Sequence, residues 1–371
     1  MDDSAQLVMN WRSVMMAMVI TPILICGVVL FFRRVEARAS RPLGAVLILA
    51  ALSMGPQIIG YADAYAIWPW MTFFPLFSTD LWFGPLLIIH AHALTRGTSL
   101  GWRRYLLLPG AVQCLYYLGA FFLPGDSMFD HLGKWAFNNM VHGPYVEPVE
   151  TLVGVALMLF AIIYLWRERA TYLAFLENES SAARDYDPVW LRNIVVALVA
   201  ATCLYAGLEI AQLAIDLTYN AAFPFQVLLM AILCWLGLDA AWRLTSPFPK
   251  LRPSLATTAP VPDNLSERIL SRMSAERWFL EPRLSIRDVA NRMGSNESYV
   301  SRALNRASGQ SFNQLVNGLR VKHAKIQLRD TSDPVLSIAM DSGFNSKATF
   351  NRVFRDFTGQ TPSRFRASQN P

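Results

Sequence analysis

The chain has 371 residues, of which 53% are hydrophobic and only 16% are charged, and its mean hydropathy is +0.29. This composition excludes an ordinary soluble protein of this length and indicates membrane-embedded segments. The net charge of +6 is carried by one end: residues 263–371 hold 17 Lys and Arg against 10 Asp and Glu, which leaves 16 against 17 for residues 1–262. A basic C-terminal region fits a polyanionic partner, which is either nucleic acid or anionic lipid.

Seven apolar runs follow one another through the first two-thirds of the chain. Each run has roughly the 20 residues that a helix needs to cross the hydrocarbon core. The N-terminus before the first run is acidic, with Asp2 and Asp3, whereas a cleaved signal peptide begins with basic residues. We therefore predict a seven-helix membrane domain over residues 1–244 with a retained first span. The predicted spans are 14–32, 43–61, 76–94, 105–123, 149–165, 194–215 and 223–242.

Basic residues alternate between the loops that join these runs. The loops after the second, fourth and sixth runs contain one basic residue in total, Lys134. Because basic residues are retained on the cytoplasmic side, this alternation predicts an outside N-terminus and a cytoplasmic C-terminus. The basic residues after the first, third and fifth runs are Arg33, Arg34, Arg38, Arg41, Arg96, Arg103, Arg104, Arg167, Arg169, Arg184 and Arg192.

Ionisable groups in or beside the spans are candidate ligand-binding residues, because charge is costly in hydrocarbon. Together with polar residues of the long outer loop, they could line a pocket for a cation or an amine. The alternative is that the acids pair with neighbouring hydroxyls and amides or lie at the water interface. The candidate residues are Asp80, Glu150, Glu209, Asp216, His131, His142 and Tyr145.

Motifs for catalysis and metal binding are missing from the sequence. Cys26, Cys114, Cys203 and Cys234 lie in apolar runs without CxxC spacing, which predicts buried thiols and no zinc or disulfide framework. The sequence has no phosphate-binding loop, no GxSxG and no HExxH motif. We predict no catalytic residue, no metal and no cofactor, and hence a protein that is not an enzyme.

Residues 245–262 contain five prolines and predict an extended cytoplasmic linker. The C-terminal domain, residues 263–371, then begins with Asp263 or Asn264 as the predicted N-cap of a helix. The apolar face of that helix carries Leu265, Ile269, Leu270 and Met273.

The same pattern of helix and turn occurs twice in this domain, in residues 286–312 and 335–362. The turn of the second copy has one more residue than the turn of the first. Each copy predicts a short amphipathic helix, a turn glycine (Gly294 or Gly343), and a longer helix that carries arginine. This is the arrangement of a helix-turn-helix. Asn296 and Asn345 are the predicted N-caps of the longer helices. Between the copies, Ser311 and Gln314 have capping-box spacing and begin a predicted linker helix over 312–328.

The longer helices separate apolar from polar positions by helical period. The predicted inward positions are Val300, Ala303 and Leu304 in the first copy, and Phe350, Val353, Phe354 and Phe357 in the second. The opposite faces present small or polar residues followed by an arginine, which suits entry into a major groove. These residues are Ser298, Ser301 and Arg302 in the first copy, and Lys347, Ala348, Thr349 and Arg352 in the second.

Residues 265–366 resemble the DNA-binding domain of the AraC/XylS family of transcription regulators. The motif residues in the second copy are Ile338, Ala339, Ser342, Gly343, Phe344, Phe350, Arg352, Phe354, Gly359, Thr361, Pro362, Phe365 and Arg366. The first copy departs from the pattern at Ala303 and Leu304, where a bulkier pair is usual. The resemblance implies base contacts from Ser298, Ser301, Arg302, Ala348, Thr349 and Arg352, and phosphate contacts from Lys347, Asn296 and Asn345.

These observations predict an all-α protein, a seven-helix membrane bundle followed by a double helix-turn-helix domain. With no organellar address, an AraC-like domain indicates a bacterial cytoplasmic membrane. The leading hypothesis is a membrane-anchored, sequence-specific transcription regulator that senses an unknown effector from outside. Its expected partners are double-stranded promoter DNA and the lipid bilayer, with RNA polymerase and a second copy of the chain as further candidates. The alternative is a polytopic transporter or ion-coupled carrier with a regulatory basic domain.

Overall fold

The computed structural model describes residues 10–62, 73–97, 101–122, 136–181, 189–215, 219–243, 250–251 and 264–369. Over these ranges the chain is helical and forms no β-strand, so the predicted all-α class is confirmed. The chain divides into two compact units. The first unit contains residues 1–169 and 189–250, and the second contains residues 170–188 and 251–371.

The first unit is built from long helices. They are α1 (Trp11–Phe32), α2 (Ala37–Ser53), α3 (Gly55–Tyr61), α4 (Asp80–Arg96), α5 (Leu108–Phe121), α6 (Glu147–Glu179), α7 (Val189–Ile215) and α8 (Phe223–Arg243). Short 3-10 helices, Gly101–Leu107 and Tyr219–Ala222, precede α5 and α8, and a π-helix (Asn138–Val146) leads into α6. The division between the units falls inside α6, whose last residues, from Ala170 onward, belong to the second unit.

Helices α1 and α2 pack through a fully buried apolar stripe. Met16, Ile23 and Leu30 on α1 are all 0% exposed. The two backbones approach closely at Gly27 and Gly44, because a Cβ atom on Gly44 would lie 2.7 Å from the carbonyl oxygen of Gly27. Small residues allow such close helix crossings where neighbouring surfaces are apolar.

Several basic side chains are gathered at one end of the helices in the first unit. Arg33, just after α1, donates a hydrogen bond of 3.3 Å to the carbonyl of Ala241 near the end of α8. Lys250 donates to the Glu36 carboxylate at 2.8 Å and to the carbonyl of Leu94 near the end of α4 at 2.9 Å. The ends of α1, α4 and α8 and the start of α2 therefore lie together.

Aromatic residues hold the opposite ends of the same helices together. The Trp11 ring at the start of α1 meets the Phe223 ring at the start of α8, with centroids 5.3 Å apart. The Tyr61 hydroxyl, at the end of α3, lies 3.0 Å from the Gln226 amide oxygen of α8. Helices α1, α4 and α8 thus run in one direction, and α2 and α3 run in the other.

Five stretches of the described chain are long and apolar enough to cross a membrane. They are Trp11–Phe32, Ala37–Tyr61, Asn138–Glu179, Val189–Leu208 and Phe223–Ala241. The predicted third and fourth spans coincide with α4 and α5, which have 17 and 14 residues. At a rise of 1.5 Å per residue, these helices are shorter than a hydrocarbon core of roughly 30 Å. The seven-span arrangement therefore stays a prediction.

The second unit continues with shorter, more polar helices. They are α9 (Leu265–Ala275), α10 (Ile286–Met293), α11 (Glu297–Ser308), α12 (Phe312–Asp330), α13 (Val335–Asp341), α14 (Lys347–Thr358) and α15 (Pro362–Gln369). Asn264 occupies the N-cap position of α9 but makes no side-chain capping bond, and Asp263 lies outside the described residues. The predicted capping box of α12 is confirmed, with both Ser311 and Gln314 bonded to backbone amides.

Two apolar cores lie on either side of α12. The first joins α9, α10 and α11 around Ile269, Val289 and Val300, and the second joins α13 and α14 around Ile338 and Phe350. The predicted inward stripes are confirmed for the first copy and for Phe350, Val353 and Phe354 of the second.

Two predictions of burial are wrong. Phe357 is 44% exposed, because it lies in the last turn of α14, beyond the end of the second core. Among the cysteines, Cys26 is buried as predicted, but Cys203 is exposed on the surface of α7. Apolar sequence surroundings thus do not establish which face of a helix carries the thiol.

Candidate nucleic-acid interface

The first helix-turn-helix consists of α10 and α11. Gly294 ends α10 with φ +62°, and its amide donates back to the helix. The Asn296 side-chain oxygen accepts from the Tyr299 amide at 2.8 Å, so the predicted N-cap of α11 is confirmed. Burial of Val300 turns the opposite face of α11 outward, where Ser298 and Ser301 are half-buried and Arg302 is exposed.

Arg302 is oriented by its own helix. Its Nε donates to the carbonyl of Ser298 at 3.4 Å, and the guanidinium lies 5.2 Å from the centre of the Tyr299 ring. Arg302 is exposed on α11, and an arginine in that position has the chemistry to donate two parallel hydrogen bonds to a guanine edge.

The second helix-turn-helix consists of α13 and α14, and here the predicted cap is wrong. Ser346, not Asn345, is the N-cap of α14, and its hydroxyl accepts from the Thr349 amide at 3.1 Å. The extra residue in this turn moves the cap by one position. Asn345 instead donates its side-chain amide to the carbonyl of Pro282 at 3.3 Å.

We expect Ser346→Ala to destabilise α14 by about 1 kcal/mol, because it removes the acceptor for a first-turn amide. Amide hydrogen exchange of α14 in the full chain should then be about fivefold faster. Asn345→Ala is the matched variant one residue away, and it should leave exchange in the first turn of α14 close to wild type. Equal effects of the two substitutions would contradict the assignment of the cap.

The outer face of α14 combines exposed charge with small residues. Lys347, Ala348 and Arg352 are exposed, and Thr349 is half-buried beside Ser346. In the described ranges, neither Lys347 nor Arg352 makes an ion pair. Four other arginines of the domain do pair with carboxylates, namely Arg272, Arg287, Arg292 and Arg329. The predicted reading helix thus presents positive charge that a polyanion could contact.

The two copies meet at residues 279–284, which include the end of a short 3-10 helix, Trp278–Leu280, and which we call the joining loop. This loop precedes α10 and also touches the turn between α13 and α14. Gly343 in that turn has φ +85°, and a Cβ atom there would lie 2.6 Å from the carbonyl oxygen of Leu280. His323 of α12 lies nearby, 3.4 Å from the Ser342 hydroxyl, and burial lowers the pKa of its imidazole. A glycine at 343 thus lets the second copy contact the joining loop.

Gly343→Ala is expected to disturb this contact. Any side chain at 343 meets both left-handed strain and a clash with backbone, so we expect a loss of more than about 2 kcal/mol in unfolding free energy. Gly359 has φ +75°, and nothing lies within 4 Å of an added Cβ atom. Gly359→Ala should therefore lower the unfolding free energy by about 1 kcal/mol, from backbone strain alone. Urea unfolding of the C-terminal domain in the full chain, followed by pulse proteolysis, measures the difference. A loss for Gly343→Ala no larger than that for Gly359→Ala would contradict the contact.

Sequence reasoning missed the most buried charged residue of the domain, Arg320. It is 2% exposed and lies on α12 in line with Phe312, Val316, Ala324 and Leu328, all of which are buried. An arginine at the middle position of this apolar stripe was the available signal, because a buried guanidinium needs several fixed acceptors.

The candidate ligand-binding residues are brought together only in part. His142 is buried, and its Nε2 lies 3.2 Å from the Tyr117 hydroxyl, which in turn donates to the Glu150 carboxylate at 3.1 Å. Asp80, exposed at the start of α4, lies close enough to Tyr117 and Glu150 for its charge to act on both. Tyr145 is 71% exposed. Asp216, His131 and the side chain of Glu209 lie outside the described residues.

Taken together, α10–α11 and α13–α14 define a double helix-turn-helix domain of the DNA-binding class. Comparison with known proteins agrees. The helix-turn-helix domain family HTH_18 matches residues 289–368. The regulatory protein SoxS of Salmonella typhimurium is 36% identical over 83 residues, which cover 22% of this chain and 78% of SoxS.

Larger relatives also match part of this chain. Uncharacterized HTH-type transcriptional regulators of Staphylococcus aureus strains COL and MSSA476 are 35% identical over 86 residues, or 23% of this chain. The chain covers 12% of the length of these two relatives. A solved structure of a protein of unknown function from Listeria innocua is 29% identical, with a TM-score of 0.27, over 30% of this chain and 100% of its own.

The chain therefore belongs to the helix-turn-helix family of DNA-binding transcription regulators. The AraC/XylS-type domain at its C-terminus carries that membership.

Proposed function

We propose that this chain is a membrane-anchored transcription regulator that reads promoter DNA in a sequence-specific manner. It resides in the bacterial cytoplasmic membrane, with its N-terminus outside and the C-terminal domain in the cytoplasm. The observation that carries this proposal is the combination of two outward-facing helices bearing Arg302 and Arg352 with apolar helices long enough to span a bilayer.

The DNA-binding part is supported by the chemistry of α11 and α14. Each helix has a capped N-terminus, small residues in its first turns and an exposed arginine. Helix α12 between the two copies has 19 residues, so it is about 28 Å long at 1.5 Å per residue. A rigid spacer of this order suits two readers placed in successive major grooves, which are about 34 Å apart.

The membrane part is supported by the ends of the helices in the first unit. The loops rich in arginine correspond to the end where Arg33, Glu36 and Lys250 meet, and the opposite end is aromatic. A concentration of basic residues at one end is the distribution expected of a cytoplasmic face, and Arg12 beside Trp11 is a basic residue at the opposite end. The sensing step would then belong to the first unit, where His142, Tyr117 and Glu150 form a polar cluster for an effector of unknown identity.

Reporter fusions test the topology. A reporter active only in the cytoplasm should work when fused after Pro371 or Arg34, and a reporter active only outside should work after Ala62. This pattern follows from the distribution of basic residues between the loops. Activity of an outside reporter after Pro371 would place the C-terminal domain away from DNA and would contradict the proposal.

A further inference from the structure

The end of α6 is part of the unit that contains the C-terminal domain, although about 80 residues of sequence lie between them. Tyr172 and Leu176 are both 0% exposed and pack with Phe175 and Leu251. The chain then leaves the helix at Ser180 and Ser181, which are 7% and 3% exposed. The segment 170–181 thus packs one face into the second unit, through Tyr172, Leu176, Ser180 and Ser181, while Glu177 on its other face is exposed.

Ser180 and Ser181 dock on the C-terminal domain through backbone and side-chain hydrogen bonds. The Ser181 amide and hydroxyl both donate to the carbonyl of Leu284, at 3.0 and 2.8 Å. The Asn313 side-chain amide donates to the carbonyls of Ser180 and Ser181, at 3.1 and 2.8 Å. An isolated antiparallel bridge pairs Ser180 with Ser285. Buried polar groups paired in this way fix one geometry, which apolar contact alone does not.

Arg320 connects this docking site to the joining loop. Its Nη2 donates to the Ser181 hydroxyl at 3.0 Å and to the carbonyl of Glu281 at 2.6 Å, and its Nε donates to the carbonyl of Phe279 at 2.7 Å. The same guanidinium lies 5.7 Å from the ring centre of Phe344 in the second copy. One side chain therefore touches the docked segment, the joining loop and the second helix-turn-helix.

The joining loop contacts both copies of the helix-turn-helix. Leu284 at its end leads directly into the cap of α10 in the first copy. Leu280 and Pro282 contact Gly343 and Asn345 in the second copy. A displacement of this loop would change the position of α11 relative to α14 without unfolding either helix.

We propose that the docked residues Ser180 and Ser181 act as a clamp on the joining loop and hold α11 and α14 at the spacing needed to bind both halves of an operator. This inference rests on the proposed DNA-binding function and assigns to the end of α6 a role in it. Two helix-turn-helix motifs held at a fixed spacing bind a full operator more tightly than either motif binds its half-site alone. This gain in affinity is lost when the spacing between the motifs is variable. Binding of one copy to its own half-site does not depend on the clamp.

The test uses the full chain in lipid nanodiscs and a duplex selected from a random pool by the wild-type protein. A shortened duplex keeps only the half read by α14. The double variant Ser181→Ala, Asn313→Ala removes the side-chain bonds of the clamp, and Glu177→Ala changes an exposed residue of the same segment. We expect the double variant to bind the full duplex roughly tenfold more weakly and the half duplex within about twofold of wild type. Glu177→Ala should match wild type on both.

Three other outcomes would contradict the clamp. Unchanged or tighter binding of the full duplex by the double variant would overturn the clamp. An equal loss on both duplexes would show that the contact supports the fold of the copies and not their spacing, which also overturns it. If wild type selects no sequence from the pool, the proposed function fails, and the clamp fails with it.

Discussion

Replacement of Arg320 by alanine is expected to lower the unfolding free energy of the C-terminal domain by about 3 to 5 kcal/mol, because it creates a cavity and leaves buried carbonyls without a donor. The carbonyls of Phe279 and Glu281 accept from this guanidinium at 2.7 and 2.6 Å. Each buried acceptor left unpaired costs about 1 to 3 kcal/mol. Domains of this size are stable by only about 5 to 15 kcal/mol, so the loss is a large share of the total.

Urea unfolding of the full chain in detergent, followed by pulse proteolysis of the C-terminal domain, measures this effect. At an m value of about 1.5 kcal/mol/M, the midpoint should fall by about 2 to 3 M. Lys322→Ala is the matched control, because Lys322 lies on the same helix and is exposed. A midpoint for Arg320→Ala close to that of Lys322→Ala would show that the buried bonds do not stabilise the domain.

Arg352→Ala is expected to abolish discrimination at one base pair of the operator. A bidentate contact between arginine and guanine contributes about 1 to 3 kcal/mol of discrimination, which corresponds to about 5- to 150-fold in affinity. Arg352 is exposed on α14, about two turns after the cap at Ser346. A recognition helix that enters the major groove by its N-terminus contacts the base edges with side chains from these first turns.

Lys347→Ala provides the contrast on the same helix. A phosphate contact carries no sequence information, so its loss should weaken binding to every duplex alike. It should also reduce the slope of log affinity against log salt concentration by about one, because about one counterion fewer is released on binding. A set of duplexes that differ at single positions, measured at several salt concentrations, separates the two roles. If Arg352→Ala weakened all duplexes equally, Arg352 would be a phosphate contact and the assignment would be wrong.

The local features of the C-terminal domain could be predicted because they depend on residues close in sequence. Gly294, Asn296 and the Ser311–Gln314 box each act within one helical turn, and the structure has all of them. The cap at Asn345 was wrong for an equally local reason. The turn has one extra residue, and the serine after Asn345 is also a good cap.

Contacts between distant parts of the chain could not be predicted in the same way. Nothing near Ser181 in sequence indicates that its partners are Leu284, Asn313 and Arg320, which follow more than 100 residues later. The apolar runs predicted helices, and helices are found at all seven, but two of them are shorter than their runs. A hydropathy profile gives the length of an apolar run, but it does not locate the turns and caps at which α4 and α5 begin and end.

Vesicle flotation tests most directly whether one polypeptide embedded in lipid presents paired reading helices to DNA. Vesicles that carry the full chain are mixed with its selected duplex in labelled form and separated on a density gradient. We predict that the duplex rises with the vesicles, and that it stays at the bottom of the gradient when the chain carries Arg302→Ala and Arg352→Ala. A wild-type chain that remains in the soluble fraction, or vesicles that lift the duplex equally well with the double variant, would contradict the proposed function.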